Sequence, residues 1–346
     1  MDGKRFCSRA YDPAQKRSRL IWQRRIDNEL IAEEPLDMNG KGNFEDARVF
    51  QHEGTNYIAY TEGIYDKTPF LAIQQLSRLG PDWQPEDKFT IPYGFNGGRR
   101  SEKNWQFFSH DGRLHFVYSI VPHIVVESGP DFDFKSAKEH RTNAPLNWPG
   151  GQVLRGGTPP IRVGDSFITF FHSHAEHREA NRRYSMGAYT FEAKPPFRIT
   201  AISPVLLRAS EQDEIVPNPS VPSWNPLVVF PVGAWQEKDG GDAEFTVTLG
   251  VNDSFDALAS IVKIPWQPPE AYAKPKLRYF QAENGPMPLM NRGQAVQWKI
   301  RKLRSPFYQP KGYMATSDPN IIALIENRKD TKEISERIYN EYEAGK

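Results

Sequence analysis

The sequence predicts an all-β chain: a five-bladed β-propeller with a short α-helical C-terminal extension. Three observations predict it. Short β-rich runs bounded by Gly, Pro, Asp or Asn fill most of the chain, and few segments before residue 315 hold a helical period. One motif recurs at a spacing that suits propeller blades. From Asp318 and Pro319 onward the pattern changes to charged residues at helical spacing, behind a residue suited to an N-cap and a proline suited to the first helical turn.

The elements follow in chain order. The first 44 residues hold no clear copy of the motif, so the first blade reads as short or divergent. The motif then appears as "FEDARVFQHEGTNYIAYTEG" (44–63) and "SEKNWQFFSHDGRLHFVYSI" (101–120). It returns as "GGTPPIRVGDSFITFFHSH" (156–174), which leads into "YSMGAYTFE". A last copy, "WNPLVVFPVGAWQEKDGGDAEFTVTLG" (224–250), leads into "ALASIVKI". Each copy passes from an opener, through an apolar run and a glycine turn, into a second β-rich run. Copies start at about 45, 102, 157 and 225, a separation that fits four strands per blade. "KIPWQPPEAYAKPKL" is Pro-rich and reads as a connection. The expected organisation is a propeller over 1–265, a Pro-rich connection and closing segment over 266–314, and a helical tail over 315–346. The tail reads either as an oligomerisation element of a homo-oligomer or as a packed extension.

Composition excludes several function classes. Lys+Arg is 44 against Asp+Glu 43, so no global charge argues for nucleic acid or a membrane surface. No apolar run approaches a membrane span, and the opening "MDGKRFCSRAYDPAQKRSRL" is too polar for a secretory leader. The single cysteine, Cys7, excludes an intrachain disulfide and makes a reducing, cytoplasmic compartment the default. The many aromatic residues serve mainly as core, with some available to stack on sugars.

In a propeller the innermost strands stand beside the axis, so the residues that open them converge at one end of the channel. Those openers are "EDAR", "EKNW", "RGGTP" and "NPLVVF"; three of the four are polar or glycine-rich. They are placed where a concave ligand site would be.

At these residues the chain resembles glycoside hydrolase family 130, the five-bladed β-mannoside phosphorylases with their related hydrolases and mannosyltransferases. The resemblance rests on "EDARVF", "EKNWQFF", "RGGTPPI…FITFFHSH", the run from Tyr184 "YSMGAYTFEAKPPFRI", and "VVFPVG…VTLGVNDSFDALA", over roughly residues 40 to 262. It implies a manno-configured substrate in the axial pocket, with phosphate as the usual attacking group. Glu45-Asp46-Ala47-Arg48 looks like the family's Glu-Asp-Pro-Arg, whose arginine faces the pocket. Lys103 looks like the lysine before the family's catalytic aspartate. Thr158 and His172 look like the threonine turn and the histidine near phosphate and sugar. Tyr184 and Asp253 look like the pocket tyrosine and aspartate of later blades. The chain departs from the pattern at Asn104, an amide where the family has its acid. It also lacks a clear copy of the family's first-blade asparagine motif.

Glycosyl transfer to phosphate needs an acid for the leaving oxygen and cations for the phosphate. Glu102 is the candidate acid, two residues from Asn104 and on the same face of a strand. Its bland alternative is a solvated loop glutamate paired with Lys103 or Arg100. Arg48, Lys103 and Arg155 are the candidate anion-binding set, against a reading as surface charge or ion pairs between blades. "HSHAEH" (172–177) puts His172 and His174 on one strand face, a weak zinc pattern beside a sugar- or phosphate-contacting His172. Asp46 has a capping alternative and Asp253 a turn alternative. The expected binding set is Asp46, Arg48, Lys103, Asn104, Arg155, Thr158, His172, Tyr184 and Asp253. No metal or cofactor is expected. Inorganic phosphate is the expected co-substrate, and an oligosaccharide or sugar phosphate the expected partner. A glycosyltransferase of the same fold and a non-catalytic sugar-binding propeller are the alternatives.

Overall fold

The computed structural model describes residues 4–12, 17–26, 29–38, 42–64, 71–91, 103–143, 146–151, 153–175, 183–208, 228–237, 244–251, 255–272, 278–282, 289–291, 294–296, 299–300, 312–316, 325 and 331–334. The chain divides into two units, Met1–Ala273 and Lys274–Lys346.

The first unit is a five-bladed propeller of antiparallel sheets. Blade one is β1 (Lys4–Asp12), β2 (Arg17–Ile26) and β3 (Glu29–Pro35). The divergent N-terminus therefore does form a blade, three strands wide. Blade two is β4 (Asn43–His52), β5 (Thr55–Ile64), β6 (Leu71–Leu79) and β7 (Pro85–Thr90). Blade three is β8 (Gln106–His110), β9 (Arg113–Ser119), β10 (His123–Glu127) and β11 (Lys138–Thr142). Blade four is built on β12 (Val153–Gly156), β14 (Ser166–Ala175), β15 (Arg183–Glu192) and β16 (Ile199–Ile202). The short β13 (Ile161–Val163) pairs further along β14, and β17 (Leu207–Arg208) pairs with β15. Blade five is β18 (Val229–Gln236), β19 (Phe245–Val251) and β20 (Phe255–Ile261).

Local chemistry sets the hairpins. β4 and β5 are joined through Glu53-Gly54, and β8 and β9 through Asp111-Gly112. All four residues have positive φ, at 47°, 76°, 48° and 69°. A two-residue hairpin turn of this hand needs positive φ at both central positions, and an acidic residue before glycine supplies it.

The core lies between blades. Leu20 and Trp22 of blade one meet Phe44, Ile58 and Tyr60 of blade two. Phe50 and Leu76 of blade two meet Trp105, Phe107 and Phe116 of blade three. Phe108 and Val125 of blade three meet Phe167, Phe171 and Phe191 of blade four. Phe170 and Met186 of blade four meet Val229, Phe245 and Val247 of blade five. Each fully buried phenylalanine contributes roughly 1.5–3 kcal/mol, which makes these joints the main cohesive term. Trp105 stacks on Phe116 at 4.7 Å, and Trp148 donates from Nε1 to Ser203 O at 2.8 Å. Both indoles are core.

The second unit contains β21 (Arg278–Ala282), β22 (Leu289–Asn291), β23 (Gln294–Val296), β24 (Lys299–Ile300), β25 (Gly312–Thr316) and β26 (Thr331–Ile334). Four of them form a sheet in the order β24-β25-β21-β26, and β22 pairs with β23. The segment expected to be a closing connection thus contributes strands of its own. Of the expected helical tail, Ile325 is helical and buried, whereas Thr331–Ile334 is a strand rather than a helix. Its backbone pairs with β21, Tyr279 opposite Ile334, so sheet hydrogen bonding outweighs helical spacing there. The rest of the tail lies outside the described residues.

Candidate functional site

The openers of blades two, three and four meet beside the axis. Two non-glycine residues with positive φ position them: Asp46 at 56° and Asn104 at 68°. Asp and Asn tolerate this region better than other side chains. In β4 the pairing with β5 skips between Glu45 and Arg48, a bulge that re-aims the side chains following it. Asn104 precedes Gln106 by two residues, as Asp46 precedes Arg48, so the two blades repeat one local device.

Arg48 is 1% exposed and ties three blades together. Its Nη1 donates to Asp46 O at 2.7 Å, and its Nη2 donates to Asn104 Oδ1 at 3.1 Å and to Gly156 O at 3.4 Å. Its Nε donates to Gly157 O. The guanidinium carbon stands 5.3 Å from the Phe230 ring centre in blade five. Burial lowers its pKa to about 10 against the pull of Asp46, which leaves it charged at neutral pH. The fully buried Gln106 makes the parallel connection from blade three, donating to Thr158 O at 2.9 Å. The backbone they reach has no room for side chains: a Cβ on Gly156 would strike Asn104 O, and one on Gly157 would strike Phe170 O.

Lys103 Nζ stands 3.1 Å from Asp46 Oδ2 and 3.3 Å from Glu45 Oε1, with its side chain 35% exposed. Arg9 of β1 reaches Glu45 Oε2 at 3.4 Å. Burial, with Asp46 alongside, raises the Glu45 carboxyl above its ordinary range despite the two cations. Burial also pushes Asp46 upward, but Lys103, Arg48 and Arg9 together outweigh it and hold Asp46 below its ordinary range. Asp46 and then Glu45 push Lys103 upward against burial. Two adjacent carboxyls are thereby set apart, one inclined to hold a proton and one inclined to stay charged.

His172 of β14 is 2% exposed, and its Nδ1 has no hydrogen-bond partner among the described residues. Its ring lies 5.7 Å from Tyr184 in a stacked arrangement and 4.5 Å from Phe230. Burial, then Arg48, drives its pKa well below the usual histidine range, so the imidazole is neutral. Arg155 is its strand partner and is exposed. Thr158 is fully buried, and its Oγ1 accepts from Phe170 N at 3.1 Å. Its hydroxyl fixes the strand opening. Among the described residues no three His, Cys, Asp or Glu side chains are placed to hold a metal ion.

The structure therefore brings together Asp46, Arg48, Lys103, Asn104 and His172, with Arg155 and Tyr184 beside the histidine and Thr158 beneath. Glu102 and Asp253 lie outside the described residues, as do Arg99, Arg100 and the last two residues of "HSHAEH", Glu176 and His177. Sequence reasoning missed Glu45, Arg9 and Phe230. Glu45 was legible as the first residue of an opener; Arg9 and Phe230 carry no motif that marks them.

Fold and site define a five-bladed β-propeller with a polar axial mouth. Three solved structures share this architecture. One is a glycosyl hydrolase from Bacteroides ovatus, 14% identical with TM-score 0.52, over 75% of this chain and 83% of that one. Another comes from work on the GH130 family of mannoside phosphorylases, described as containing glycoside hydrolases that target β-1,2-mannosidic linkages in Candida mannan. It is 16% identical with TM-score 0.53, over 80% and 84% of the two chains. The third is the β-1,2-mannobiose phosphorylase of Listeria innocua in complex with β-1,2-mannobiose, 16% identical with TM-score 0.50, over 78% and 83%. No protein-family model and no curated protein matches the chain. At these identities the likeness establishes the fold, and the set of structures includes the family that the blade motifs resemble.

Proposed function

We propose that the chain is a carbohydrate-active enzyme of the β-mannoside phosphorylase type, acting on a mannosidic bond at the axial mouth. One observation carries this reading: polar openers of three successive blades join into a single hydrogen-bonded set around Arg48, in a fold shared with mannoside phosphorylases. Lys103 and Arg155 present charge toward solvent, where inorganic phosphate or a sugar phosphate would be met. Arg48 is committed to carbonyls and to Asn104, so it acts by positioning and by its field. Neutral His172 and ionised Asp46 suit sugar hydroxyls, as donor or acceptor and as acceptor. Tyr184 frames the sugar, Thr158 holds the strand opening beneath it, and Asp253 is the further candidate that the sequence offers. Asn104 holds an amide toward the same space.

In the forward reaction the glycosidic bond from the mannosyl anomeric carbon to the leaving oxygen breaks. A bond from that carbon to a phosphate oxygen forms. The leaving oxygen takes one proton from a carboxyl and departs as a hydroxyl. Glu102 is the acid offered by the sequence; Glu45 is a second carboxyl at the mouth whose environment favours the protonated form. The reaction uses no metal and no cofactor, and we place it in the cytoplasm. Asn104 favours a second reading. An amide donates no proton, and transfer from a nucleotide-activated sugar needs little, because a diphosphate leaves as a stabilised anion.

The test is phosphate release from a panel of aldose 1-phosphates, mannose 1-phosphate included, each with mixed sugar acceptors. Wild type is run beside Glu102→Gln and Glu45→Gln. Release from one donor, lost in one variant, supports the phosphorylase and names its acid. Nucleoside diphosphate release from an added nucleotide sugar, with no phosphate released from any aldose 1-phosphate, favours the transferase. Glycan binding without turnover, unchanged in Glu102→Gln, favours a binding propeller.

A further inference from the structure

Glu45 is buried at the mouth, yet each of its carboxylate oxygens is met by a cation from another blade. Lys103 Nζ, from the opener of blade three, stands 3.3 Å from Oε1. Arg9 Nη1, from β1 of blade one, stands 3.4 Å from Oε2. The two cations thus converge on one anionic head, the Glu45 carboxylate itself. Both reach solvent, with side-chain exposures of 34% for Arg9 and 35% for Lys103, whereas Glu45 keeps 10%. A guanidinium and an ammonium spaced to hold one carboxylate also suit the oxygens of a phosphate or sulfate.

The charges around Glu45 do not form a simple pair. Asp46 adjoins it on β4 and shares Lys103 at 3.1 Å, and Asp46 is drawn to Arg48 as well. On β5 the cross-strand neighbour of Glu45 is Thr61, uncharged and buried, whose hydroxyl has no hydrogen-bond partner among the described residues. Lys103 and Arg9 are therefore the groups that favour the ionised form of Glu45, against burial and Asp46. An oxyanion that takes up these two cations withdraws that support and adds a like charge. Both changes favour the protonated carboxyl. Resting on the phosphorylase reading, we infer that Lys103 and Arg9 form an oxyanion-binding pair which Glu45 occupies until the anion arrives, and that Glu45 takes up a proton as it yields. In the phosphorolytic direction the balance closes. Monohydrogen phosphate brings one proton, Glu45 carries it, and the leaving oxygen receives it as the phosphate oxygen bonds the anomeric carbon. The glycosyl phosphate then holds none.

Sulfate is the probe, because it offers oxygens like those of phosphate and does not titrate near neutral pH. Calorimetric titration of sulfate into the full chain, in two buffers of different ionisation enthalpy, counts the protons taken up on binding. Wild type is expected to bind sulfate with uptake of up to about one proton per sulfate. Glu45→Gln should bind it roughly fivefold more tightly and take up no proton, because the competing carboxylate is gone. Lys103→Met should bind about tenfold more weakly. Proton uptake in wild type needs no variant, so the test survives a variant that fails to fold. Wild type that binds no sulfate, or binds it without proton uptake, overturns the inference. Uptake that persists in Glu45→Gln overturns it, as does unchanged or weaker binding there, which a merely structural glutamate would give. Equal binding in Lys103→Met overturns it as well. The phosphate-release assay keeps the two readings apart. Release without sulfate-linked proton uptake retains the phosphorylase and overturns the coupling; uptake without release supports the coupling and tells against the phosphorylase.

Discussion

Arg48 of blade two donates from Nη2 to Asn104 Oδ1 of blade three at 3.1 Å. The residue standing where the resembled family has its acid is thus bonded to a buried cation. Asn104→Ala removes this acceptor and puts a side chain poorly suited to φ 68° in its place. We expect a loss of about 2–3 kcal/mol in urea unfolding. Asn104→Asp keeps an acceptor and tolerates the backbone, so it should stay within about 1 kcal/mol of wild type. Equal losses in the two variants would sink this account.

The neighbouring carboxyls Glu45 and Asp46 should pull stability in opposite directions with pH. Glu45 is raised above 4.5, so the folded state holds its proton more tightly than the unfolded state. That contribution is present at low pH and is lost as pH rises from 4.5 through the folded value. Asp46 is lowered below 3.8; its contribution is present above 3.8 and is lost as pH falls through the folded value. Glu45→Gln should therefore gain on wild type as pH rises toward neutral, and Asp46→Asn should lose. Unfolding midpoints measured from acid to neutral pH would check both slopes.

His172 should stay neutral across the physiological range, because burial and then Arg48 depress its pKa. Its imidazole resonances should not titrate between neutrality and mildly acidic pH in nitrogen-resolved NMR. An inflection near the ordinary histidine value would contradict the buried geometry.

Two glycines should respond very differently to alanine. Gly157→Ala drives a Cβ against Phe170 O and should lose roughly 2–3 kcal/mol. Gly112→Ala meets open space and suffers only its φ of 69°, about 1 kcal/mol. Denaturant melts of both variants would rank them.

The propeller was legible because the repeat carries both the strand pattern and its turns. Glu-Gly and Asp-Gly after aromatic runs announce the same hairpin twice, and each of the β-rich runs quoted above contains a strand. Blade one was hard to read because its strands carry Arg, Gln and Glu where the other blades carry aromatics. The strand at Thr331–Ile334 escaped because its partner, β21, is about 50 residues earlier, and pairing at that range leaves no local pattern. At the site, the convergence of Asp46, Arg48, Lys103 and Asn104 followed from the blade openers, and His172 entered through the family resemblance. What spacing could not convey was that Arg48 is saturated by carbonyls, that Glu45 shares Lys103, and that Phe230 forms a wall for both Arg48 and His172. Those facts arise from the left-handed turns at Asp46 and Asn104, which bend chains in ways that residue order does not encode.

Among the described residues, blades five and one meet through Phe6 and Trp235, whose rings stand 6.3 Å apart, with no buried apolar cluster like those at the other four joints. A ring bonded firmly at four junctions and loosely at one behaves as a spring clip with its gap at that junction. Outward stress relaxes there first. Arg9 on β1 grips Glu45 at the mouth, so the arm beside the gap is fastened to the jaw.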